Sequence, residues 1–101
     1  MVGTEMLMLD EYVVDVLMRD LVGHDRRPVS FLVYLWLAAE QQRQGRAVTI
    51  SYQQLAESVG ISKSSAQAAA GWLARRKLLM VSKTGSTATP SYSVQRPWLS
   101  R

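Results

Sequence analysis

The side chains that could carry out covalent or metal chemistry are few in this sequence. There is no cysteine, and His24 is the only histidine, so a thiolate or histidine metal site would lack partners. Asp10, Asp15 and Asp20 are five residues apart, a spacing that does not place three carboxylates on one face of a helix. Neither a glycine-rich phosphate loop nor a GxSxG motif is present. We therefore expect no enzymatic activity, no cofactor and no metal.

The remaining chemistry is electrostatic, because charge is unevenly distributed along the chain. Residues 1–25 hold six acids and one base, whereas residues 26–101 hold two acids and eleven bases. A basic body of this kind attracts a polyanion, while the acidic extension at 1–25 is expected to face elsewhere. A charge that merely varies along the surface stays an alternative, because a pI near 9.9 also occurs in proteins that bind no nucleic acid.

The composition is that of one folded domain. Hydrophobic residues make up 48% and charged residues 20% of the 101 residues, so we expect a single globular domain over 1–101. The longest apolar run, at 31–39, has nine residues, less than half of a membrane span. Acidic residues near the N-terminus, in place of a basic stretch, argue against a secretion signal. These features and the lack of cysteine predict a cytoplasmic protein that does not enter a membrane.

Hydrophobic periodicity and capping residues predict four helices and three short strands. The apolar run at 6–9 fits either a strand or a lead-in to the first helix. Helices are expected at 10–22, ended by Gly23; from Pro28 to Gly45; from Ser51, with Gln54 completing a capping box, to Gly60; and from Ser62 to about Lys77. Short strands are expected at 47–50, 79–83 and 92–95, with a turn-forming TGSTATPS segment between the last two.

The second predicted helix is apolar on nearly all sides between residues 31 and 38. Such a helix must be covered on more than one face. We expect the N-terminal helix to cover part of it and a second subunit to share the rest. The acidic N-terminal helix and the helix at 28–39 are therefore predicted to form a dimer interface, and the same surface could instead dock a protein partner.

Residues 51–79 have the layout of two short helices joined by a tight turn and followed by a hairpin. In a helix-turn-helix, one helix lies across the DNA groove and holds the next inside it. That arrangement requires a small residue where the helices cross, a residue that tolerates positive φ at the turn, and an apolar residue after it. Ala56, Gly60 and Ile61 supply these in order. The expected core positions are Leu55, Val59, Ala66, Ala69 or Ala70, and Leu73; Leu78 and Leu79 then enter the hairpin.

The series Leu55-Ala56, Gly60-Ile61-Ser62, Leu73 and Leu78-Leu79 resembles the winged helix-turn-helix of bacterial regulators of the GntR and MarR kinds and of plasmid replication initiators. The resemblance covers roughly residues 46–98. It implies a mostly helical α+β fold, here with an added N-terminal helix. It also implies binding to double-stranded DNA, and regulation of transcription is the usual task of such proteins.

In that family the exposed face of the motif's second helix enters the major groove. The resemblance implies that DNA contacts on this face come from Ser62, Lys63, Ser64, Ser65, Gln67, Ala68 and Gly71. Residues 62–65 would meet a phosphate at the helix N-terminus, Gln67 could bond adenine on two atoms, and Ala68 could touch a thymine methyl. The alternative is that Ser62 is only an N-cap and Gln67 only a solvated polar residue.

In the hairpin, the resemblance implies contacts with phosphates or an adjacent minor groove. The residues suited to such contacts are Lys83, Thr84, Ser86 and Thr87. An ordinary flexible hairpin tip is the alternative interpretation. The basic cluster at 75–77 is interpreted first as favourable pairing with the C-terminus of the fourth helix, and second as a DNA contact.

This sequence departs from the family pattern in two ways. The second helix of the motif is rich in alanine and has no arginine in the middle of its groove-facing side, which favours readout through DNA shape or low specificity. Lys77 stands where the family usually has glycine, so the turn into the hairpin is expected to be strained or differently formed.

The sequence thus predicts a bacterial, phage or plasmid DNA-binding protein that acts as a homodimer and reads half-sites roughly one helical turn, ~34 Å, apart. A winged helix that only binds protein is the main alternative. A single-strand or RNA binder is a further one, for which Tyr52 and Tyr92 are the only candidate stacking residues.

Overall fold

The computed structural model describes residues 6–85 and 88–99, which form four helical regions and a small antiparallel sheet. An N-terminal helical region precedes the other elements. These are α1 (Pro28–Gln44), β1 (Val48–Thr49), α2 (Tyr52–Val59), α3 (Lys63–Arg75), β2 (Leu79–Ser82), β3 (Ser91–Val94) and a 3₁₀ turn at Pro97–Leu99. The strand order is β1-β3-β2, so β3 is central and the β2–β3 hairpin is closed on one side by β1. The mostly helical α+β fold predicted from the sequence is confirmed.

The N-terminal helical region consists of two consecutive π-helical segments, Val13–Leu17 and Arg19–His24. Its core-facing residues, Val13, Leu17 and Leu21, are four residues apart. Residues at this spacing lie on one side of a helix, so this side faces the core.

The predicted end of the first helix at Gly23 is wrong. Gly23 lies inside the second π-helical segment, and the region ends at Asp25, whose N–H donates to the carbonyl of Asp20 at 2.8 Å. Gly23 does not adopt the positive φ of a helix-ending glycine, unlike Gly45 and Gly60. A glycine near the end of an apolar pattern therefore does not end a helix by itself. The helix continues past it where packing holds the next turn in place.

Helix α1 is the central element of the core. Pro28 occupies its first turn and Gly45, at φ 71°, ends it, both as predicted. It packs against the N-terminal helix, α3 and β3. It buries Ser30 and four larger side chains, Phe31, Val33, Tyr34 and Leu37. Leu32, on the same helix, remains 46% exposed, so one part of α1 has no cover among the described residues.

The described termini are tied together at one edge of α1. The N–H of Met8 donates to Gln42 Oε1 at 2.6 Å and Gln42 Nε2 donates to the Met8 carbonyl at 2.8 Å, which ties Met8 to α1. Residues 6–9 are neither strand nor helix. Trp98 stacks on Tyr12 with ring centroids 4.4 Å apart and donates from Nε1 to Asp10 at 2.8 Å. This hydrogen bond is the largest cause that lowers the pKa of Asp10.

The unit formed by α2 and α3 is built from the capping signals predicted for it. Ser51 and Gln54 form a reciprocal capping box at the start of α2, and Gly60, at φ 91°, ends that helix. Ala56, 2% exposed, lies where α2 meets α3. Ser62 caps α3 by accepting a hydrogen bond from the Ser65 N–H at 3.1 Å. The inner face of α3 consists of Ala66, Ala69, Ala70 and Leu73, all buried.

Helix α3 ends at Arg75, two residues before the predicted end, because Lys77 adopts a left-handed φ of 62°. This conformation costs a residue with a side chain roughly 1–2 kcal/mol. The Leu78 N–H then donates to the Leu73 carbonyl at 3.0 Å, which closes the turn before β2 begins. The predicted strain at Lys77 is thus present, and the turn forms in spite of it.

Candidate nucleic-acid interface

The outer face of α3 is exposed over most of its predicted contact residues. Its predicted contact residues are exposed at Ser62, Lys63, Ser64, Gln67 and Ala68 and half-buried at Ser65 and Gly71. The opposite face is fully engaged by the core, so the helix is held rigidly while its polar side stays available. Within the part of the chain that the structure describes, no element covers this polar side.

The serines at the start of α3 form a hydrogen-bonded group. Ser62 Oγ accepts from the Ser65 N–H and is joined to Ser65 Oγ at 2.9 Å and to Ser64 Oγ at 3.2 Å. Ser62 therefore serves as the N-cap, which is the structural role considered for it. The hydroxyls of Ser64 and Ser65 each keep further bonding capacity on the solvent side.

Lys63 and Gln67 lie one turn apart on this exposed face. Neither side chain is engaged by an ion pair or a hydrogen bond with another described residue. Residues four apart on a helix are neighbours on one side of it. The ammonium group and the amide can therefore contact the same external surface, one by charge and the other by a directional pair of hydrogen bonds.

The hairpin tip contributes a second exposed surface. Lys83 and Thr84 follow directly after β2 and are both exposed. Ser86 and Thr87, which were predicted to act with them, lie outside the described residues. The strands on either side are paired in register, with Val81 opposite Tyr92 and Ser82 opposite Ser91, so the base of the hairpin is fixed.

A groove of about 210 Å³ runs beside α3 and contains residues that sequence reasoning missed. One wall is formed by Arg26, Arg27 and the first residues of α1, and the other by Ser65, Ala68 and Ala69 of α3. Both arginines are exposed. The sequence contains both arginines directly before Pro28, but it does not indicate which element they pack against. Their position next to α3 depends on a tertiary contact between segments almost 40 residues apart.

Comparison with known families agrees with this geometry. Residues 42–89, just under half of the chain, match the family described as winged helix-turn-helix domain (DUF2582). The protein contains a winged helix-turn-helix. The matched region begins in the last turn of α1 and includes α2, α3 and β2, which overlaps most of the predicted range 46–98. No curated protein and no solved structure matches the chain.

In this winged helix-turn-helix, the far end of α3 is organised around Trp72. The guanidinium carbons of Arg27 and Arg76 lie 5.3 Å and 4.8 Å from the centroid of the Trp72 ring, within the range of cation–π contacts. Arg76 Nη1 also donates to Asp25 Oδ2 at 2.9 Å. The cluster at 75–77 was interpreted as pairing with the helix C-terminus, but Arg76 has a carboxylate partner instead.

Asp25 connects this cluster to the end of the N-terminal helix. His24 Nδ1 lies 3.0 Å from Asp25 Oδ1. The hydrogen bond with His24, and then the contact with Arg76, hold the pKa of the Asp25 carboxyl below its usual value. The carboxylate is therefore charged at neutral pH and balances the charge of Arg76, whereas Arg27 has no carboxylate partner among the described residues.

Tyr92 was a candidate stacking residue for single-stranded nucleic acid, and that prediction is wrong. Its side chain is fully buried in β3, opposite Val48 and Val81, and only its edge meets Tyr52, at a centroid distance of 6.3 Å. Burial raises the pKa of the Tyr92 hydroxyl. Tyr52 is half-buried, so the described residues do not form an aromatic stacking platform on this surface.

Over residues 6–85 and 88–99, no three acidic, histidine or cysteine side chains lie close enough together to hold a metal ion. In the same residues, no helix is both long and apolar enough to cross a membrane.

Proposed function

We propose that the protein binds double-stranded DNA as a homodimer, with α3 in the major groove and the β2–β3 hairpin against the backbone. The observation that carries this proposal is the exposed polar face of α3 in a winged helix-turn-helix whose opposite face is locked into the core. A rigid helix with free ammonium, amide and hydroxyl groups on one side fits what major-groove binding requires. Regulation of transcription in a bacterial cytoplasm is the corresponding role.

The proposed readout is weighted towards DNA shape. Gln67 is the one exposed amide on the middle of α3, and its neighbours Ala68 and Gly71 bring little beyond close approach. A thin helix can lie deep in a groove, where sequence-dependent groove width and flexibility affect the energy of the complex. We therefore propose modest direct specificity at the base pair that Gln67 meets, and indirect specificity around it.

The homodimer is proposed through the N-terminal half of the chain. Val14, Met18 and Val22 are four residues apart and each about 40% exposed, on a helix whose other side is buried. Among the described residues, every large hydrophobic side chain that is exposed lies before residue 33, apart from Met80 and Leu99. An apolar surface of this kind is typical of an association site. A second copy would present the same stripe, which suits a two-fold interface.

The deciding experiment for DNA binding uses a pool of random duplexes. Fluorescence anisotropy at two salt concentrations measures affinity, and the bound fraction is sequenced. Salt-sensitive binding with an enriched palindrome supports a dimeric, site-specific regulator. Salt-sensitive binding without enrichment supports a DNA-binding protein that lacks its own site. No binding at low salt contradicts the proposal and favours a winged helix that docks a protein through the exposed apolar surface.

Lys63→Ala is expected to weaken binding to all duplexes alike and to reduce the slope of log K against log salt by about one unit, because one phosphate contact is lost. Titration by anisotropy over a series of salt concentrations measures the slope. Lys63→Arg is the matched control and is expected to keep the slope, since it keeps the charge. A slope that is unchanged in Lys63→Ala would remove this residue from the interface.

Met18→Asp is expected to raise the dissociation constant of the dimer at least tenfold. The change places a carboxylate in the apolar stripe of a helix that is already acidic. Both subunits of the homodimer carry the substitution, so the interface would contain two such carboxylates. Sedimentation equilibrium measures the association. Met80→Asp is the control, because it is the same substitution at an exposed position on β2. It should leave the dimer intact. Equal effects of the two variants, or a monomeric parent protein, would contradict this interface.

A further inference from the structure

We infer that Arg26 and Arg27 form a separate site for backbone phosphates of the same DNA duplex, one for each guanidinium group, and that Trp72 positions Arg27 for this contact. The inference rests on the proposed DNA binding. It adds a part of the interface that belongs neither to α3 nor to the hairpin, namely the loop between the N-terminal helix and α1.

The groove lies beside the face of α3 that is proposed to meet DNA. Arg26 and Arg27 form one wall of the 210 Å³ groove, and the other wall includes Ser65 and Ala68. Ala68 also belongs to the exposed face of α3. A duplex that meets this face of α3 therefore passes directly beside the two guanidinium groups. One strand of its backbone would run along the groove.

The arginines near the groove differ in whether a carboxylate balances their charge. Arg76 is paired with Asp25 at 2.9 Å, so its charge is largely balanced. Arg27 shares the Trp72 ring but has no carboxylate partner among the described residues, and the same holds for Arg26. The groove therefore carries an excess of two positive charges. Guanidinium groups bind phosphate with two parallel hydrogen bonds, which suits a backbone contact.

Arg27 is held in position through both its backbone and its side chain. Its N–H donates to the Leu21 carbonyl at 2.6 Å, and its carbonyl accepts from the Phe31 N–H at 3.1 Å. The backbone is thus fixed on both sides, and the Trp72 ring restrains the side chain at a distance of 5.3 Å. A positioned guanidinium loses less entropy on binding than a free one. A phosphate held here would fix the depth and register of the alanine-rich helix in the groove.

The test compares salt dependence between matched variants. The probe is a 20-base-pair duplex, and the double variant Arg26→Ala/Arg27→Ala is expected to reduce the salt slope by about two units, at roughly 0.9 per lost contact. Arg27→Lys keeps the charge and should retain its share of the slope. Arg43→Ala is the control, because Arg43 is paired with Glu40 near the other end of α1, about 24 Å along the helix. It should leave the slope unchanged.

The role of Trp72 is tested with two substitutions. Trp72→Leu is expected to weaken binding roughly two- to fivefold without a change in slope, because the charge stays while its restraint is lost. Trp72→Tyr keeps an aromatic face and should restore most of the affinity, which a purely structural role in the core would not require. Circular dichroism of every variant checks that the fold is retained.

The outcomes separate this inference from the proposal on which it rests. If the double arginine variant keeps the parent slope while Lys63→Ala reduces it, the loop does not contact the backbone and only this inference fails. If the parent protein shows no salt-sensitive binding to duplex DNA, the proposed function fails and the phosphate site with it. A loss of slope in the double variant equal to that of Arg43→Ala would also overturn the inference.

Discussion

Leu73→Ala is expected to lower the free energy of unfolding by about 2–5 kcal/mol. Leu73 is completely buried, and the other residues on the inner face of α3 are alanines. It is therefore the only large side chain that this inner face contributes to the core. Its removal leaves a cavity that small neighbours cannot fill, so α3 is expected to lose its fixed position before the rest of the domain unfolds.

Urea unfolding followed by circular dichroism measures this effect, with the parent protein and Leu99→Ala under the same conditions. Leu99 is the control, because it is the same residue type but is 57% exposed, in the 3₁₀ turn and outside the proposed dimer surface. Its replacement should change the free energy of unfolding by no more than about 0.5 kcal/mol. Similar losses in the two variants would mean that α3 is not anchored through Leu73.

Gln67→Ala is expected to remove discrimination at one base pair of the selected site, equal to roughly 1–3 kcal/mol. The amide is the one exposed group in the middle of α3 that can bond two atoms of a base. The remaining base pairs should keep their preferences, because those depend on groove shape and backbone contacts. Affinity for the selected duplex should fall, while affinity for unrelated duplexes should change little.

The measurement is a competition series in which each base pair of the selected site is changed in turn. Gln44→Ala is the control, because Gln44 is a glutamine at the end of α1 whose amide bonds Glu40 at 2.9 Å. It should leave every preference intact. If Gln67→Ala also leaves every preference intact, α3 does not read bases directly and specificity comes from DNA shape alone.

Features of the fold that depend on neighbouring residues could be predicted from the sequence. The capping box of Ser51 and Gln54, the left-handed turn at Gly60 and the N-cap at Ser62 are local motifs, and all three are present. A strained or differently formed turn at Lys77 was expected from the family resemblance, because the family usually has glycine there, and Lys77 does adopt a left-handed φ. Local hydrogen bonding decides such features before any tertiary packing is known.

Features that depend on distant residues could not be predicted. Gly23 carries a helix-ending signal, but the packing of Val13, Leu17 and Leu21 holds the helix through it. Tyr92 is an aromatic residue in a strand, and only the register with Val48 shows that it faces the core. The pairing of Asp25 with Arg76 joins residues 51 positions apart.

For the candidate site, the sequence predicted which face of α3 is polar but not what stands beside it. The exposed face follows from helical periodicity, since the residues of the inner face are apolar and three or four residues apart. The groove with Arg26 and Arg27 requires knowledge of where the first turn of α1 packs. The contacts with DNA themselves, including those of Ser86 and Thr87, stay predictions.

The contact between Trp98 and the start of the N-terminal helix has a consequence for cooperativity. β3 is the central strand of the sheet and the second strand of the hairpin, and three residues after its end Pro97 begins the turn that holds Trp98 against Tyr12 and Asp10. On the proposed assignment, the DNA-facing hairpin and the subunit interface are thus joined by a short, hydrogen-bonded path. A displacement of the hairpin would therefore shift the subunit interface, and a displacement of the interface would shift the hairpin. Thermodynamic linkage then requires that DNA strengthen dimerisation by the same factor by which dimerisation strengthens DNA binding.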